Sequence, residues 1–490
     1  MASVRRDVAT LGKGWNDTLL HYAMAVRHLD NKPISERTSW KFLAAMHGFH
    51  RPWWVQANVI SEADQIPPEL EDGTYGDQCQ HGSWYFLPWH RGYLAAFEAI
   101  VAATVKELTG AEWTLPYWNY LDPGNPAARD IPEPFVAEKM PDGSENPLRR
   151  YPRRLTDRLP NVSPQRFGLG AMAENDFLVS ADGSIGFGGG EKPFDPGADA
   201  SGDLEFNPHN SVHSMLGGFM GNPYFAGLDP LFWLHHCNID RLWEAWMRTK
   251  GKTMTRDPRW LDGPTDRRFI LPSVDGKDPG IYFSARDTLG GGKLHPTYDD
   301  LNKGTGVTPG AAMVATVGMG PPERQRVDSL GSNGEAVVLT GQAAVTTVRV
   351  DLAATKAAVT SMGVTAPGKE TTRLYLKLEG IRGEAPTALL DVYVNLPVGA
   401  DPASHEGLRA GSVDLFGLQR ASRRGAGHGA NGLSRALDIT EIADRLRAAG
   451  DPVGADLRVT LVPVEGSSSD VPLTVDKVSL LKRTGVATPP

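Results

Sequence analysis

The chain has 490 residues, roughly three times the length of a typical domain, so two or three domains are expected. Hydrophobic residues make up 40% of the chain and charged residues 22%. This composition excludes a wholly disordered chain, and no apolar stretch reaches the roughly 18 residues that a membrane helix requires. A net charge of −8 argues against nucleic acid as a partner. We therefore expect a globular protein without a membrane or nucleic-acid partner.

The start of the chain and its cysteines bear on location. The first residues, MASVRRDVATLGKGWND, place charges where a signal peptide needs its apolar stretch. The two cysteines, Cys79 and Cys237, cannot form a disulfide framework. Both features predict a reducing, cytoplasmic location.

The first 250 residues predict mainly helices. Apolar residues recur at helical spacing in four segments: 15–30, 39–51, 88–110 and 229–247. The last segment begins with Asp229 and Pro230, a typical N-cap and first-turn pair. A Gly/Pro-rich stretch over 122–203 is long for a loop, which is typical of segments that shape a site or an entrance.

The last part of the chain predicts strands. A Gly/Pro/Thr-rich segment within 301–335 indicates a linker. Alternating β-branched runs such as EAVVLTGQ, TRLYLKLEG and DLRVTLVPV follow it. They predict a jelly-roll-like β-sandwich over 336–490, with one helix near 438–449. The sequence thus predicts a mainly α-helical core over 1–300 and a β-rich C-terminal domain.

Histidines cluster in the helical part. Eight of the 13 histidines lie in short segments: His47 and His50, His81 and His90, His209 and His213, His235 and His236. A spacing of four residues places His209 and His213 on one face of a helix. Imidazole without carboxylate or thiolate suits copper, zinc or iron, and three neutral nitrogens per metal leave room for a small molecule such as O2. The pattern predicts two three-histidine metal sites without choosing the metal.

Two of these segments carry a family resemblance. HGSWYFLPWHRGYLAAFE and DPLFWLHHCNIDRLWEAW resemble the two copper-site signatures of the tyrosinase, catechol oxidase and mollusc-type haemocyanin family. LPYWNY also fits this family, and LEGIRGEAPTALLDVYVNLP is similar to the C-terminal domain of plant polyphenol oxidases. The resemblance implies a dinuclear copper centre in a four-helix bundle within residues 1–300. It also implies that the C-terminal domain acts as a lid.

The resemblance implies three histidine ligands for each of two copper ions. The six are His47, His81 and His90 for the first ion, and His209, His213 and His236 for the second. His47 is preferred over His50 because AAMHG aligns with the first ligand segment of the family. His235, the first histidine of the HH pair, is expected to support the ligands.

The resemblance also implies roles for residues beside the ligands. Phe86 and Phe232 are expected to wall the bundle. Asp240 and Arg241 are expected to orient ligand imidazoles through hydrogen bonds, with an ordinary ion pair on the helix surface as the alternative.

Cys79 precedes His81 by two residues. In fungal tyrosinases and mollusc haemocyanins this Cys-x-His spacing accompanies a thioether between the cysteine sulfur and the imidazole carbon, so the resemblance implies one here. A buried free cysteine is the alternative. Cys237 has no such spacing and is expected to be a core thiol.

Glu205 and Asn210 match positions that in the family are thought to hold a water able to take the phenolic proton. A monophenol has a pKa of about 10 and must be deprotonated to bind copper, so general-base assistance lowers that barrier. A surface glutamate and a helix-capping asparagine are the alternatives. Pro223 occupies the position of a bulky gate phenylalanine in many plant enzymes, which predicts wider access unless Tyr224 or Phe225 replaces it.

The resemblance implies a copper enzyme that uses O2 to convert monophenols into o-diphenols and these into o-quinones. The alternatives are a catechol or o-aminophenol oxidase without hydroxylase activity, and an oxygen carrier of the haemocyanin kind. The expected substrate is a phenolic small molecule, and the oligomeric state is left open. As in a latent enzyme, an apolar side chain of the lid, Leu415, Phe416 or Leu418, is expected to plug the entrance, with packing in the sandwich core as the alternative.

Overall fold

The computed structural model describes most of the chain: residues 4–162, 164, 166–179, 186–192, 200–277, 280–310, 316–317, 326–351, 370–384, 389–422, 432–450, 456–464 and 472–486. The chain divides into two compact units. Unit 1 is Met1–Leu178 with Gly186–Met319, and unit 2 is Val179–Ile185 with Gly320–Pro490. The boundary at Met319 lies inside the segment predicted as a linker, and most of 311–325 lies outside the described residues.

Unit 1 contains the α-helices of the N-terminal half. They are α1 (Asp17–Asp30), α2 (Trp40–His47), α3 (Arg51–Gln56), α4 (Pro68–Glu71), α5 (Phe86–Thr109), α6 (Ser211–Leu216), α7 (Pro230–Met247) and α8 (Pro258–Leu261). The four helices predicted from apolar spacing correspond to α1, α2, α5 and α7. None of the described helices is long and apolar enough to cross a membrane.

Side-chain caps and a glycine define the ends of the long helices. The side chains of Asn16, Ser39 and Asp229 accept backbone N–H bonds in the first turns of α1, α2 and α7. Gly110 ends α5 with a left-handed φ of 76°, which a residue with a Cβ adopts only with strain. The polar and Gly/Pro signals in the sequence therefore act locally at these ends.

Shorter elements connect the helices. The 3₁₀ segments are Val8–Thr10, Glu133–Phe135, Pro147–Arg149, Gly170–Ala173, Ala226–Leu228, Ala285–Thr288 and, in unit 2, Pro402–Leu408. A wide helical turn over Glu205–Asn210 leads into α6. Three small sheets pair β1 (Leu178–Val179) with β2 (Gly189–Gly190), β3 (Thr253–Met254) with β6 (Thr316–Val317), and β4 (Phe269–Leu271) with β5 (Ile281–Phe283).

Aromatic side chains fill the core of unit 1 where α1, α2, α5 and α7 meet. Trp233 of α7 stacks on Phe97 of α5 with ring centroids 3.5 Å apart, and Trp40 of α2 packs against both rings. Tyr22 of α1 completes the cluster. Burial of each such side chain contributes about 1.5–3 kcal/mol. This core fixes the relative positions of the helices that carry the histidines.

Unit 2 is built on one nine-stranded sheet. Its strands are β7 (Arg326–Ser332), β8 (Val337–Leu339), β9 (Ala344–Val350), β10 (Glu370–Gly383), β11 (Leu389–Val394), β12 (Arg409–Asp414), β13 (Leu433–Asp438), β14 (Asp456–Pro463) and β15 (Leu473–Val486). The strand order is β12-β11-β14-β9-β7-β15-β10-β13, with β8 on β15. The described residues of unit 2 also form the helices α9 (Leu418–Ser422) and α10 (Thr440–Ala448).

The β-rich nature of unit 2 is confirmed, but its arrangement differs from the predicted sandwich. The two end strands, β12 and β13, lie next to each other, so the sheet curves into a barrel-like form. Along β10, Leu374, Leu376 and Leu378 are fully buried while Arg373 is exposed. Alternation of this kind shows that one face of a strand is buried, and it does not reveal whether a second sheet or the same sheet covers that face.

The three residues predicted to include an entrance plug are all buried. Leu415, Phe416 and Leu418 follow the end of β12, in a turn and at the start of α9. Leu418 packs beside Gly383 of β10, within unit 2. The role of these residues as a plug stays a prediction.

Gly92 provides a test of packing in α5. A Cβ at this position would lie 2.4 Å from two ring carbons of Phe283. We expect Gly92→Ala to lower the thermal midpoint, with a net loss of roughly 1–2 kcal/mol after the gain in helix propensity. Gly170→Ala is the control, because no atom of the described residues lies within 4 Å of its Cβ position. Equal midpoints for the two variants would contradict the tight α5–β5 contact.

Candidate metal centre

Helices of unit 1 bring six histidines to one place. His47 is the last residue of α2, His90 lies in the first turns of α5, and His236 lies in α7. His209 and His213 flank the junction between the wide turn and α6. The sixth, His81, lies in the segment just before α5.

The first cluster contains His47, Cys79, His81 and His90. One nitrogen or sulfur atom from each lies within 4.8 Å of those of the others. The ring centroids of the three histidines are 5.2–5.8 Å apart. This geometry lets three imidazoles and one sulfur face a common point.

The second cluster contains His209, His213, His235 and His236, whose ligand atoms also lie within 4.8 Å of one another. The Nε2 atom of His236 is 3.3 Å from Nε2 of His209 and 3.2 Å from Nε2 of His213. The two clusters are neighbours, because the rings of His90 and His236 stack with centroids 4.4 Å apart.

Backbone carbonyls fix the orientation of the imidazoles. Nδ1 of His47 lies 2.8 Å from the carbonyl oxygen of Pro223, and Nδ1 of His90 lies 2.7 Å from that of Phe86. Nδ1 of His213 is held in the same way by a carbonyl at 2.7 Å. A carbonyl only accepts, so Nδ1 carries the hydrogen and Nε2 keeps its lone pair.

The second cluster fits a metal ion better than a set of hydrogen bonds. His209 donates from Nδ1 to Oδ1 of Asn210 at 2.8 Å, so its Nε2 also holds a lone pair. Two lone pairs, from His209 and His213, therefore converge on one nitrogen of His236. A single proton there satisfies only one of them, whereas a cation between the three nitrogens satisfies all.

Burial keeps these imidazoles neutral, which is the form that binds metal. Desolvation lowers the pKa of His90 and His213 to about 3. It also lowers the pKa of His209, His235 and His236 well below the usual value. Neutral nitrogen ligands suit copper, zinc or iron.

The sulfur of Cys79 lies against His81. Its Sγ atom is 3.3 Å from Nδ1 and 3.7 Å from Nε2, the two nitrogens that flank the ring carbon Cε1. The same sulfur is 3.4 Å from Nε2 of His90. Cys237, by contrast, contacts the carbonyl of Leu115 at 3.9 Å, and burial raises the pKa of its thiol to about 12. Only Cys79 belongs to a cluster.

Glu205 and Asn210 are both buried beside the histidines. The N–H of Gly82, next to His81, donates to both carboxylate oxygens of Glu205, at 2.8 and 3.0 Å. Asn210 makes no side-chain cap on α6 and bonds His209 instead. The alternatives of a surface glutamate and a helix-capping asparagine are therefore wrong.

Two phenylalanine rings lie against the clusters, and His235 and His50 differ in their relation to them. Phe86 lies 4.5 Å from the ring of His90, and Phe232 lies 4.1 Å from that of His236. His235 stacks on His209, and its Nδ1 lies 3.0 Å from the hydroxyl of Tyr120. His50 lies outside both clusters, against Trp53 at the start of α3.

Pro223 contributes through its backbone. It is buried, and its carbonyl accepts the hydrogen bond from His47. Tyr224 contacts His50 and Trp53. The role of Pro223 as a substrate gate stays a prediction.

The predicted role of Asp240 and Arg241 in orienting imidazoles is wrong. Asp240 accepts hydrogen bonds from Arg91 at 2.6 Å, Arg5 at 3.2 Å and the hydroxyl of Tyr298 at 2.5 Å. Arg241 binds asparagine side chains and backbone carbonyls. Both residues are buried, so they do not form a surface ion pair either. Backbone carbonyls accept the N–H groups of His47, His90 and His213. The carboxylate of Asp240 instead binds the buried guanidinium groups of Arg91 and Arg5.

The carbonyls of Phe86, Met220 and Pro223 are the functional groups that sequence reasoning missed. Phe86 precedes His90 by four residues in α5, a spacing that could have indicated the bond. The carbonyls of Met220 and Pro223 lie in an irregular segment, and no residue pattern marks them.

Comparisons with known proteins agree with this geometry. The model of the common central domain of tyrosinase matches residues 37–175 and 171–249, and a model described as a domain of unknown function (DUF7868) matches residues 326–483. Tyrosinase HcTyr1 of Hahella sp. (strain CCB-MM4) is 32% identical over 480 residues, which cover 95% of this chain and 97% of that protein. The chloroplastic polyphenol oxidase of Malus domestica is 32% identical over 260 residues, 49% of this chain and 40% of that protein.

Solved structures agree on the fold. A latent aurone synthase, a polyphenol oxidase, aligns with a TM-score of 0.61 at 20% identity over 99% of this chain and 90% of that chain. Latent apple tyrosinase aligns with a TM-score of 0.55 at 21% identity, over 98% of this chain and 97% of that chain. Because a tyrosinase shares 32% identity with nearly the whole chain, this protein belongs to the tyrosinase and polyphenol oxidase family of copper oxidoreductases.

Proposed function

We propose that this enzyme holds two copper ions, one in each histidine cluster, and uses O2 to hydroxylate monophenols and to oxidise o-diphenols to o-quinones. The observation that carries the proposal is the pair of adjacent clusters, in which several Nδ1 atoms donate to fixed acceptors, so that the lone pair suited to a metal lies on Nε2. The names of the relatives, tyrosinase and polyphenol oxidase, support phenols as the substrate class.

The proposed ligands are taken from the two clusters. They are His47, His81 and His90 for one ion, and His209, His213 and His236 for the other. The second cluster offers four histidines, and the family pattern, in which the second histidine of the HH pair binds copper, gives His235 a supporting role beside Tyr120. Bound copper would supply the redox chemistry with O2 that no side chain in this set offers.

The protein's own groups would position the phenol and accept its proton. Phe86 and Phe232 present apolar rings beside the imidazoles, which favours an aromatic substrate. The N–H of Gly82 fixes the carboxylate of Glu205 beside His81. Because Oδ1 of Asn210 is bonded to His209, the Nδ2 group of Asn210 is left to contact a water. A water between Glu205 and Asn210 would then take the phenolic proton.

Metal content tests the dinuclear assignment. We expect two copper ions per chain in the wild type and one in His213→Ala, because the second proposed ligand set then lacks one of its three nitrogens. His50→Ala, which removes a histidine outside both clusters, should retain two. Elemental analysis of protein loaded with copper and freed of excess metal gives these numbers. A single copper in the wild type, or bound zinc in preference to copper, would contradict the proposal.

Intact mass tests the proposed thioether between Cys79 and His81. Its formation removes the thiol hydrogen and one imidazole C–H hydrogen, with O2 as the electron acceptor at the copper site. The copper-matured protein should therefore be lighter than the copper-free protein by two hydrogens. Cys79→Ser should abolish this difference, and Cys237→Ser should keep it. Alkylation of both cysteines in denatured, copper-matured wild type would exclude the bond.

Comparison of monophenol turnover with diphenol turnover tests the proposed role of Glu205. Diphenols are more acidic than monophenols and need less help to lose a proton, so Glu205→Gln should lower monophenol turnover far more than diphenol turnover. The expected loss is of the order of 10²-fold on monophenols. Glu112→Gln, a change at an exposed ion pair, is the control and should leave both rates unchanged.

Two outcomes would count against this part of the proposal. Equal losses on both substrates, with two coppers retained, would mean that Glu205 acts structurally. Diphenol turnover without any monophenol turnover in the wild type would instead favour a catechol or o-aminophenol oxidase.

A further inference from the structure

A row of aromatic side chains leads away from the first histidine cluster. The ring centroid of Trp89 lies 4.8 Å from that of His90 and 6.2 Å from that of His47. Tyr93 follows at 4.6 Å from Trp89, and Trp233 at 4.7 Å from Tyr93. These separations lie within the roughly 4.5–7 Å range of direct aromatic contact. The row therefore begins in contact with two proposed ligands.

The row continues through α2 and α1 to the edge of unit 1. Trp40 lies 6.1 Å from Trp233, Tyr22 lies 6.5 Å from Trp40, and Trp113 stacks on Tyr22 at 5.6 Å. Trp113 is 6% exposed, whereas the three other tryptophans of the row are at most 1% exposed. We name this set the aromatic row: Trp89, Tyr93, Trp233, Trp40, Tyr22 and Trp113.

Packing alone does not explain why two of these rings, those of Trp89 and Trp233, are indoles. A core needs volume and apolar surface, which phenylalanine and leucine also supply. The indole N–H groups of Trp89 and Trp233 are buried and have no hydrogen-bond partner in the described structure. Such a group costs about 1–3 kcal/mol, which a phenylalanine would avoid. Indole and phenol rings differ from phenylalanine in one relevant respect, since they lose an electron far more readily.

The hydrogen bonds of the row suit movement of electrons without protons. Among the described residues, no group accepts the N–H proton of Trp89 or Trp233, so an indole that loses an electron keeps its proton. The hydroxyl groups of Tyr93 and Tyr22 donate to backbone carbonyls, which do not take up a proton. Burial raises the pKa of both phenols. The indoles are thus the rings that carry charge, and the phenol rings bridge them.

We propose that the aromatic row delivers electrons from Trp113 to the histidine site when an oxidising equivalent there is not consumed by a phenol. Each transferred electron reduces the site by one equivalent and oxidises Trp113 by one. A phenol in solution that contacts Trp113 returns the electron and releases its own proton to water. This inference rests on the proposed copper and O2 chemistry. Its consequence is protection of the ligand imidazoles and of Cys79 from oxidation.

Without a phenol to return electrons, oxidative damage should appear at Trp113, the end of the aromatic row. Loss of two electrons from Trp113, addition of an oxygen atom from water and release of two protons give a mono-oxygenated indole. Hydrogen peroxide is a suitable oxidant, because it takes up the two electrons and two protons and becomes water. The overall change is transfer of one oxygen equivalent to Trp113, and peptide mass spectrometry detects it directly.

The test uses the full-length, copper-loaded protein treated with hydrogen peroxide in the absence of phenol. We expect oxygenation of Trp113 to exceed that of Trp53 severalfold, although Trp53 is the more exposed of the two and lies outside the row. The excess should disappear in copper-free protein, where only direct attack from solution remains. Oxygenation that follows exposure, with Trp53 ahead of Trp113, would overturn the proposal.

Substitutions within the aromatic row test the route of electron transfer. Trp233→Phe keeps an aromatic ring but removes the readily oxidised one, so oxygenation of Trp113 should fall severalfold and oxidation should move to Trp89 and His90. Trp246→Phe is the matched control, because Trp246 is a fully buried tryptophan of the same helix that stacks on Phe187 instead. Trp40→Phe interrupts the next step and gives the same readout if Trp233→Phe does not fold.

Two measurements on the same samples separate this inference from the proposed function. Copper content and the initial rate of diphenol oxidation report on the proposed function alone. If both are normal and Trp113 is oxygenated equally in Trp233→Phe, Trp40→Phe and Trp246→Phe, the aromatic row is refuted while the proposed function stands. If the wild type binds no copper or oxidises no diphenol, the proposed function fails first.

Discussion

The Nε2 lone pairs of His209 and His213 converge on one nitrogen of His236, and a single proton cannot satisfy both contacts. On the other edge of these two rings, Nδ1 donates to an acceptor, which leaves the lone pair on Nε2. The acceptors are the carbonyl oxygen of Met220 for His213 and the amide oxygen of Asn210 for His209. The converging lone pairs therefore favour binding of a cation between the three nitrogens. Burial keeps the imidazoles neutral until a cation binds.

A buried network of charged side chains fixes the relative positions of α5 and α7, the helices that carry His90 and His236. Arg91 of α5 is the neighbour of His90, and Asp240 of α7 lies one turn after His236. Their ion pair at 2.6 Å is fully enclosed, and Arg5 and Tyr298 complete the shell of the carboxylate. Breaking a buried pair by removal of one partner typically costs about 3–5 kcal/mol. The network therefore fixes how α5 and α7 face each other, which places the rings of His90 and His236 in contact.

The sequence was informative about local features and much less so about tertiary ones. Helical spacing and caps predicted α1, α2, α5 and α7, since both signals act within a few residues. The motifs around His81 and His236 carried the family resemblance, and the six histidines do come together. The acceptors at Met220 and Pro223 could not be predicted, because a backbone carbonyl has no residue signature. The role of Asp240 was predicted wrongly for a related reason. Asp240 lies near the ligands in the sequence, but the sequence does not show that buried arginine side chains contact its carboxylate.

The barrel-like sheet of unit 2 illustrates the same limit at a larger scale. Alternating residues predicted strands in this part of the chain, but closure depends on the contact between β12 and β13, strands separated in the sequence and at opposite ends of the sheet order. In unit 1 the corresponding long-range information lies in the aromatic core, where Trp233 and Phe97 stack between α7 and α5. That core positions the helices, and its composition bears on the chemistry as well. The proposed copper and O2 chemistry would place oxidising equivalents beside easily oxidised indoles. These indoles would then either be damaged or transfer electrons along the row. The continuous ring contacts from Trp89 to Trp113 favour electron transfer.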